Sequence, residues 1–440
     1  MFEAHRTAFF ERMAERSVAL FGSGRLKVRS NDVHYRFRPH SDLYYLCGFQ
    51  EPDAFLVLRR DGAERRVIMF VLPRSAESEL WNGPRQGPDG AKAGYGADEA
   101  HESGELSTLL PQLLQNLDTL YYALGTDPEL DDLVVAAWGR ARAATRDRGG
   151  LPRAIVHPGS LLDELRLIKD TDELDRMRHA AAITVAAHRA AIAACEPGRR
   201  EYEIEALIDH LFRCLGATAP AYPTIVAGGP NAATLHYAGN GDLLRGGDLV
   251  LIDAGAEYQG YASDITRTLP VSGHFTEPQH RLYDLVLKAQ EAAIATVRPG
   301  SAFDVPHRVA CRILVEGLIE LDILHGDVEE LLEAKALQPF FMHRTSHWLG
   351  IDVHDAGAWR IDGEGRELRP GMVLTIEPGL YLGESPENVP AAYRGIGIRI
   401  EDNVLVTPTG HEILTAALPK KAAEIEALCR APLGLPWNAR

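Results

Sequence analysis

The stretch "VLIDAGAEYQGYASDITRT", residues 250–268, alternates apolar and polar positions on both sides of a turn signal. It reads as a β-hairpin. A turn at Tyr258-Gln259 sets Glu257 opposite Gly260, Gly255 opposite Ala262 and Asp253 opposite Asp264. Opposed residues bring their Cβ atoms to about 4.5–5.5 Å. Two carboxylates so placed repel each other on one face of a sheet. An arbitrary acid pair more often sits at a turn or an edge, so this one needs support from elsewhere in the chain.

The support is an internal echo. "LLRGGDLVLIDAG" ends at Gly255 and "ELRPGMVLTIEPG" ends at Gly379, which aligns Asp253 with Glu377. "ACEPGRREYEI" and "TVRPGSAFDVP" also match, each a helix–loop–helix broken by Pro-Gly. Two copies suit one domain with an internal pseudo-twofold better than a repeat array. "GIGIRIEDNVLVT" alternates so that Arg399 and Glu401 share one face, with Ile398 and Ile400 on the other. Each half thus offers two acids on strands. Between them "FMHRTSHWLGIDVHDAG" carries His343, His347 and His354.

Four carboxylates and an imidazole form an oxygen-rich set whose charge two divalent cations would balance. Hard oxygen ligands favour manganese or a similar ion over a thiolate zinc site. His343 and His347, four apart, would share a helix face, although Gly350 ends any helix soon after. Spacing alone does not say which histidine binds metal. Trp348 reads as packing, and His5 and His101 as surface residues.

The bulk numbers narrow the class. The 440 residues allow two or three domains. A formal charge of −16 argues against nucleic acid and anionic membranes as partners. Five scattered cysteines without a CxxC pair suggest free thiols in a reducing compartment. The first twenty residues lack the apolar core of a signal peptide. The expected location is the cytoplasm.

Ahead of the repeat, "HRTAFFERMAERSVALF" reads as helix, "AFLVLRR" and "RRVIMFVLP" as strands, and "ELSTLLPQLLQNL" and "ELDDLVVAAWGRARAATR" as helices. That is an α/β domain, residues 1–168, followed by an α+β domain, residues 169–440. Asp170 and Glu173 have capping-box spacing at the start of a long Ala-rich helix. The last residues, "APLGLPWNAR", read as irregular.

These motifs resemble the pita-bread metallopeptidases of the aminopeptidase P (Xaa-Pro aminopeptidase) family over nearly the whole chain. "SHWLGIDVHD", "GIGIRIEDN", "LHYAGN" around His236 and "FRPHSDLYYLCGFQEPDAFLVL" carry the resemblance. It implies a metal-dependent exopeptidase that releases the first residue when proline is second, using a hydroxide between two metal ions. By resemblance Asp253, Asp264, His347, Glu377 and Glu401 bind two divalent ions, manganese by expectation. Asp264 and Glu401 would bridge them, and Glu377 would also shuttle protons. His236 and His354 would stabilise the oxyanion and position the substrate; His343 and Arg399 would form the proline-side pocket. The family also implies a homodimer or homotetramer acting on peptides. Arg344 departs from the glycine that relatives often carry there, which would narrow the pocket. The alternatives are a prolidase limited to Xaa-Pro dipeptides, a methionine aminopeptidase, or a metal-free peptide- or histone-binding module.

Overall fold

The computed structural model describes residues 1–144, 150–383 and 389–433. The C-terminal stretch expected to be irregular therefore lies outside the described residues from 434 on. The chain forms two compact units, Met1–Arg166 and Leu167–Arg440.

The first unit is built on a six-stranded mixed sheet. Its order is Glu99–Glu102, Glu64–Val71, Phe55–Asp61, Arg16–Gly22, Thr119–Tyr121, Ala154–Val156. Helices such as Leu106–Leu113 and Pro128–Ala144 cover it. Two expectations fail here. The N-terminal helix covers Phe2–Arg12 only, and Arg16–Gly22, read as its continuation, is a central strand. Val18, Ala19, Leu20 and Phe21 are all buried, so the strand is covered on both faces and shows no alternation. A short apolar run of that kind does not distinguish helix from strand. His5, read as a surface residue, is buried, its ring stacked 3.9 Å from that of Tyr45.

The second unit repeats one plan twice. Helices Thr171–Ala194 and Glu201–Cys214 precede the strands Leu249–Ala254 and Ile265–Pro270. Helices Glu277–Ala295 and Val305–Glu320 precede Val373–Ile376 and Asp402–Thr407. The Asp170 capping box forms in both directions, each bond 2.9 Å, and contributes about 1 kcal/mol. Apolar helix faces, among them Ile183, Ile208, Leu282 and Leu314, bury against Val250, Ile252, Leu374 and Ile376 in one core. Each such side chain stabilises the fold by about 1.5–3 kcal/mol. The two sheets meet edge to edge, where Glu401 N–H donates to the Thr266 carbonyl at 3.1 Å and Arg399 N–H to Thr268 Oγ1 at 3.2 Å.

The opening hairpin turns one residue later than expected. Tyr258 pairs with Tyr261, and Asp253 pairs with Thr266 in place of Asp264. The two turn residues, Gln259 and Gly260, have φ of 48° and 83°. A two-residue turn of this hand needs positive φ at both positions, and a glycine at the second suits it. The register therefore slides by two. A slide of one would turn every side chain to the other face; a slide of two leaves the faces intact. Asp264 remains on the face of Asp253, as a diagonal neighbour. In the second half Ile376 pairs with Asp402 and Gly379 with Arg399, which sets Glu377 directly opposite Glu401.

Candidate active site

These strands open onto a cavity of about 620 Å³. Its lining includes all nine residues singled out above: His236, Asp253, Asp264, His343, His347, His354, Glu377, Arg399 and Glu401.

The histidine segment reaches the cavity as extended chain, not as the helix considered from the His343–His347 spacing. Thr375 N–H donates to the His347 carbonyl at 3.0 Å and Glu377 N–H to that of Thr345 at 2.9 Å, with Trp348 bridged to Leu374. Four residues is an even number along such a chain, so both rings still face one side. Trp348 packs, as expected, its ring 4.4 Å from that of Phe303. The loop then turns back, and the buried Asp355 carboxylate accepts from the Lys169 ammonium at 2.9 Å. This pair fixes the end of the loop next to His354, whose ring lies 4.4 Å from that of His347.

His236 sits on the loop after Ile225–Gly228, and that loop is gathered around one buried carboxylate. Glu201 accepts from Gly228 N–H, Asn231 Nδ2, Tyr237 Oη and Asp242 N–H, at 2.8–3.0 Å. The chain around Asp264 is held in a similar way by Asn403, which bonds the backbone N–H and carbonyl of Asp264.

Ring tautomers follow from the acceptors. His347 Nδ1 lies 2.9 Å from the Trp348 carbonyl, so Nδ1 carries the proton. His347 Nε2 is turned toward Asp264 Oδ2 and Glu377 Oε1, at 3.4 and 3.5 Å. His343 Nδ1–H points to the Arg344 carbonyl at 2.8 Å, so its Nε2 accepts from Tyr381 Oη at 2.7 Å. Tyr381 in turn accepts from Arg399 Nη1 at 2.9 Å, and Arg399 Nη2 pairs with Asp253 Oδ2 at 2.5 Å.

The carboxylates are short of positive charge. Tyr222 Oη lies 2.6 Å from Asp253 Oδ1 and 2.5 Å from Asp264 Oδ1, one proton for two anionic oxygens. Glu401 Oε2 accepts from Thr266 Oγ1 at 2.7 Å, but Oε1 is buried and has no partner among the described residues. Burial, and then the charges of Asp264, Glu377 and Asp253, hold the Glu401 carboxyl well above the ordinary range. Burial also raises Glu377 to about 7, with His347 and Arg399 opposing the rise. Burial would lower His347, but its hydrogen bond to Asp264 and the charges of Glu377 and Asp264 outweigh that and raise it to about 9.

This donor set fits divalent cations. It offers hard oxygens and one imidazole nitrogen, an orphaned buried Oε1, and a proton on His347 that a cation would displace. Among the described residues the donor atoms of Asp264, His347 and Glu401 all lie within 4.8 Å of one another. Tyr222, Tyr381, Asn403 and Glu201 have direct parts in this geometry and were not anticipated. Asn403, adjacent to the Glu401-Asp402 pair, and Glu201, inside the repeated "ACEPGRREYEI" segment, sat within motifs already quoted, but neither was given a role at the site.

The model of metallopeptidase family M24 matches residues 175–408, and that of the aminopeptidase P N-terminal domain matches residues 2–121. The Xaa-Pro aminopeptidase of Escherichia coli K12 is 45% identical over 428 residues, 97% of each chain. Human Xaa-Pro aminopeptidase 3 is 36% identical over 406 residues, 91% of this chain and 78% of its own. Among solved structures, an E. coli aminopeptidase P in complex with substrate matches with a TM-score of 0.94 at 44% identity, over 97% of both chains. A Pseudomonas aeruginosa aminopeptidase matches with 0.94 at 42%, again over 97% of both.

Proposed function

The chain belongs to metallopeptidase family M24, and from that premise we propose that it releases the N-terminal residue from peptides whose second residue is proline. The observation that carries the site assignment is the convergence of four carboxylates and an Nε2-facing histidine in one cavity. Asp253, Asp264, His347, Glu377 and Glu401 would hold two cations, with manganese as the proposed ion. When bound, the ions supply a water activated near neutral pH and a Lewis acid for the scissile carbonyl.

The side chains supply the rest. Glu377, whose burial keeps its proton affinity high, takes a proton and passes it to the leaving proline nitrogen. That nitrogen leaves as an amine, so it needs a proton delivered at its own position. His236 and His354, at the exposed edge of the cavity, orient the peptide and stabilise charge on the carbonyl oxygen. His343, neutral because burial and the charge of Arg399 lower it to about 3, presents a ring edge to the proline side. Arg399 holds Asp253 and Tyr381 in register.

Residues 1–168 are assigned to the N-terminal domain and 169–440 to the catalytic one, a division supported by the pairing of Lys169 with Asp355. Among the described residues no helix is long and apolar enough to cross a membrane. The five cysteines are all unpaired, which supports a reducing compartment such as the cytoplasm. Assembly as a homodimer or homotetramer belongs to the same reading, and light scattering tests it.

The deciding experiment compares kcat/KM for Xaa-Pro, Xaa-Pro-Yaa and a longer Xaa-Pro peptide, after chelation and after manganese is restored. Cleavage of the longer substrates only with metal is the expected result. Hydrolysis confined to the dipeptide would make the chain a prolidase, and full activity in rigorously metal-free protein would remove the metal assignment.

A further inference from the structure

Arg344 lines the same cavity as His343 and Glu377 but has no part in the chemistry above. It is exposed, and its guanidinium carbon lies 3.7 Å from the centroid of the Trp359 ring. Arg360 flanks the same ring at 5.4 Å. Arg399, the other arginine of the cavity, is committed to Asp253, Tyr381 and Thr266. For Arg344, among the described residues, the structure records contact with the indole and neither a carboxylate nor a hydrogen-bond acceptor. Stacking on an aromatic face fixes a guanidinium without neutralising it, and leaves its N–H fork free for a carboxylate.

The position of this fork matters as much as its charge. Arg344 follows His343 directly, and its carbonyl receives the His343 Nδ1–H. Its side chain therefore starts one residue from the proline-side pocket. Two residues of extended peptide beyond the scissile bond reach about 7 Å, a span that an arginine side chain at that pocket can meet. Resting on the Xaa-Pro aminopeptidase reading, we infer that Arg344, braced on Trp359, binds the C-terminal carboxylate of Xaa-Pro-Yaa tripeptides and makes short free-acid peptides the preferred substrates of this chain.

The test compares kcat/KM for an Xaa-Pro-Yaa free acid with that for its C-terminal amide, using the manganese-loaded full chain. The acid is expected to win by about fivefold to tenfold, mainly through KM, and the preference should shrink with added salt. Arg344→Met should bring the ratio to one. Arg344→Lys should keep part of it, because a point charge lacks the fork, and Trp359→Leu should reduce it by loosening the guanidinium. An acid-to-amide ratio of one in the unaltered chain, or the same ratio in Arg344→Met, overturns the inference. A chain that cleaves no Xaa-Pro peptide of any length fails at the underlying activity instead, a different result from equal cleavage of acid and amide.

Discussion

The carboxylates at the cavity can be tested one residue at a time. Asp264→Ala or Glu401→Ala removes one of the carboxylates proposed to hold the cations while leaving the apolar strand faces intact. Activity should fall by about a thousandfold or more, with circular dichroism unchanged and metal content reduced. An Asp264→Ala protein with full metal and normal turnover would sink the assignment. A second test uses pH. Glu377 is raised from 4.5 to about 7 and His347 from 6.5 to about 9, so the folded chain without cations binds more protons than the unfolded chain. At these groups its stability falls as pH rises from about 4.5 through 7 and on toward 9. Cations displace those protons, so the gain in Tm on adding manganese should be small at pH 5 and grow to pH 8, with protons released on binding. Thermal unfolding with chelator and with manganese, across that range, checks it; a gain independent of pH would contradict the ligand set. The face shared by Asp253 and Asp264 was legible in the sequence because alternation has a period of two. Tyr222, 31 residues before Asp253, was not, since only the folded topology brings its hydroxyl between the two acids.

The hairpin and the histidine segment show what pattern conveys about elements and what it omits. Their faces were readable; their registers and types depended on single backbone positions. Gly255 is one such position. A Cβ there would lie 1.8 Å from the Ser263 carbonyl oxygen and 2.9 Å from Tyr222 Cε1. Gly255→Ala should therefore push the Asp253 strand from the Asp264 strand, lowering both stability and metal content; wild-type values of both would show that the strands tolerate the spacing. Gln259 is the opposite case. It holds φ of 48° on an exposed turn, a conformation that asparagine adopts more readily. Gln259→Asn should raise stability with kcat/KM unchanged, read from urea denaturation. Element type was misread where burial was two-sided, as at Arg16–Gly22, because the alternation that marks a strand disappears when both faces are covered.

At the scale of the catalytic unit, the pseudo-twofold was visible in the matched Gly255 and Gly379 segments, but the asymmetry within it was not. The first half places its two acids diagonally, and the second places Glu377 opposite Glu401, so Thr266 stands where its repeat mate is Glu401. The halves must be locked together for these unlike pairs to meet. Arg267 sits at that joint, fully buried. Its guanidinium pairs with Asp402 at 2.8 Å and donates to the carbonyls of Thr266, Glu401, Leu418 and Pro419. Asp402 also accepts from Gln290, Thr415 and Lys420. One cation thus ties a first-half strand to a second-half strand and to the segment that follows. Its removal leaves several buried carbonyls without donors, and breaking a buried pair from one side costs about 3–5 kcal/mol. Arg267→Met should lower the unfolding free energy of the catalytic unit, read from urea denaturation, by that amount and loosen any metal held at Glu401, whose carbonyl it holds. Arg267→Lys, which restores the charge but not the fork, should recover only part of the stability. If Arg267→Met unfolds at the wild-type midpoint with both ions bound, the joint is carried by the apolar core alone.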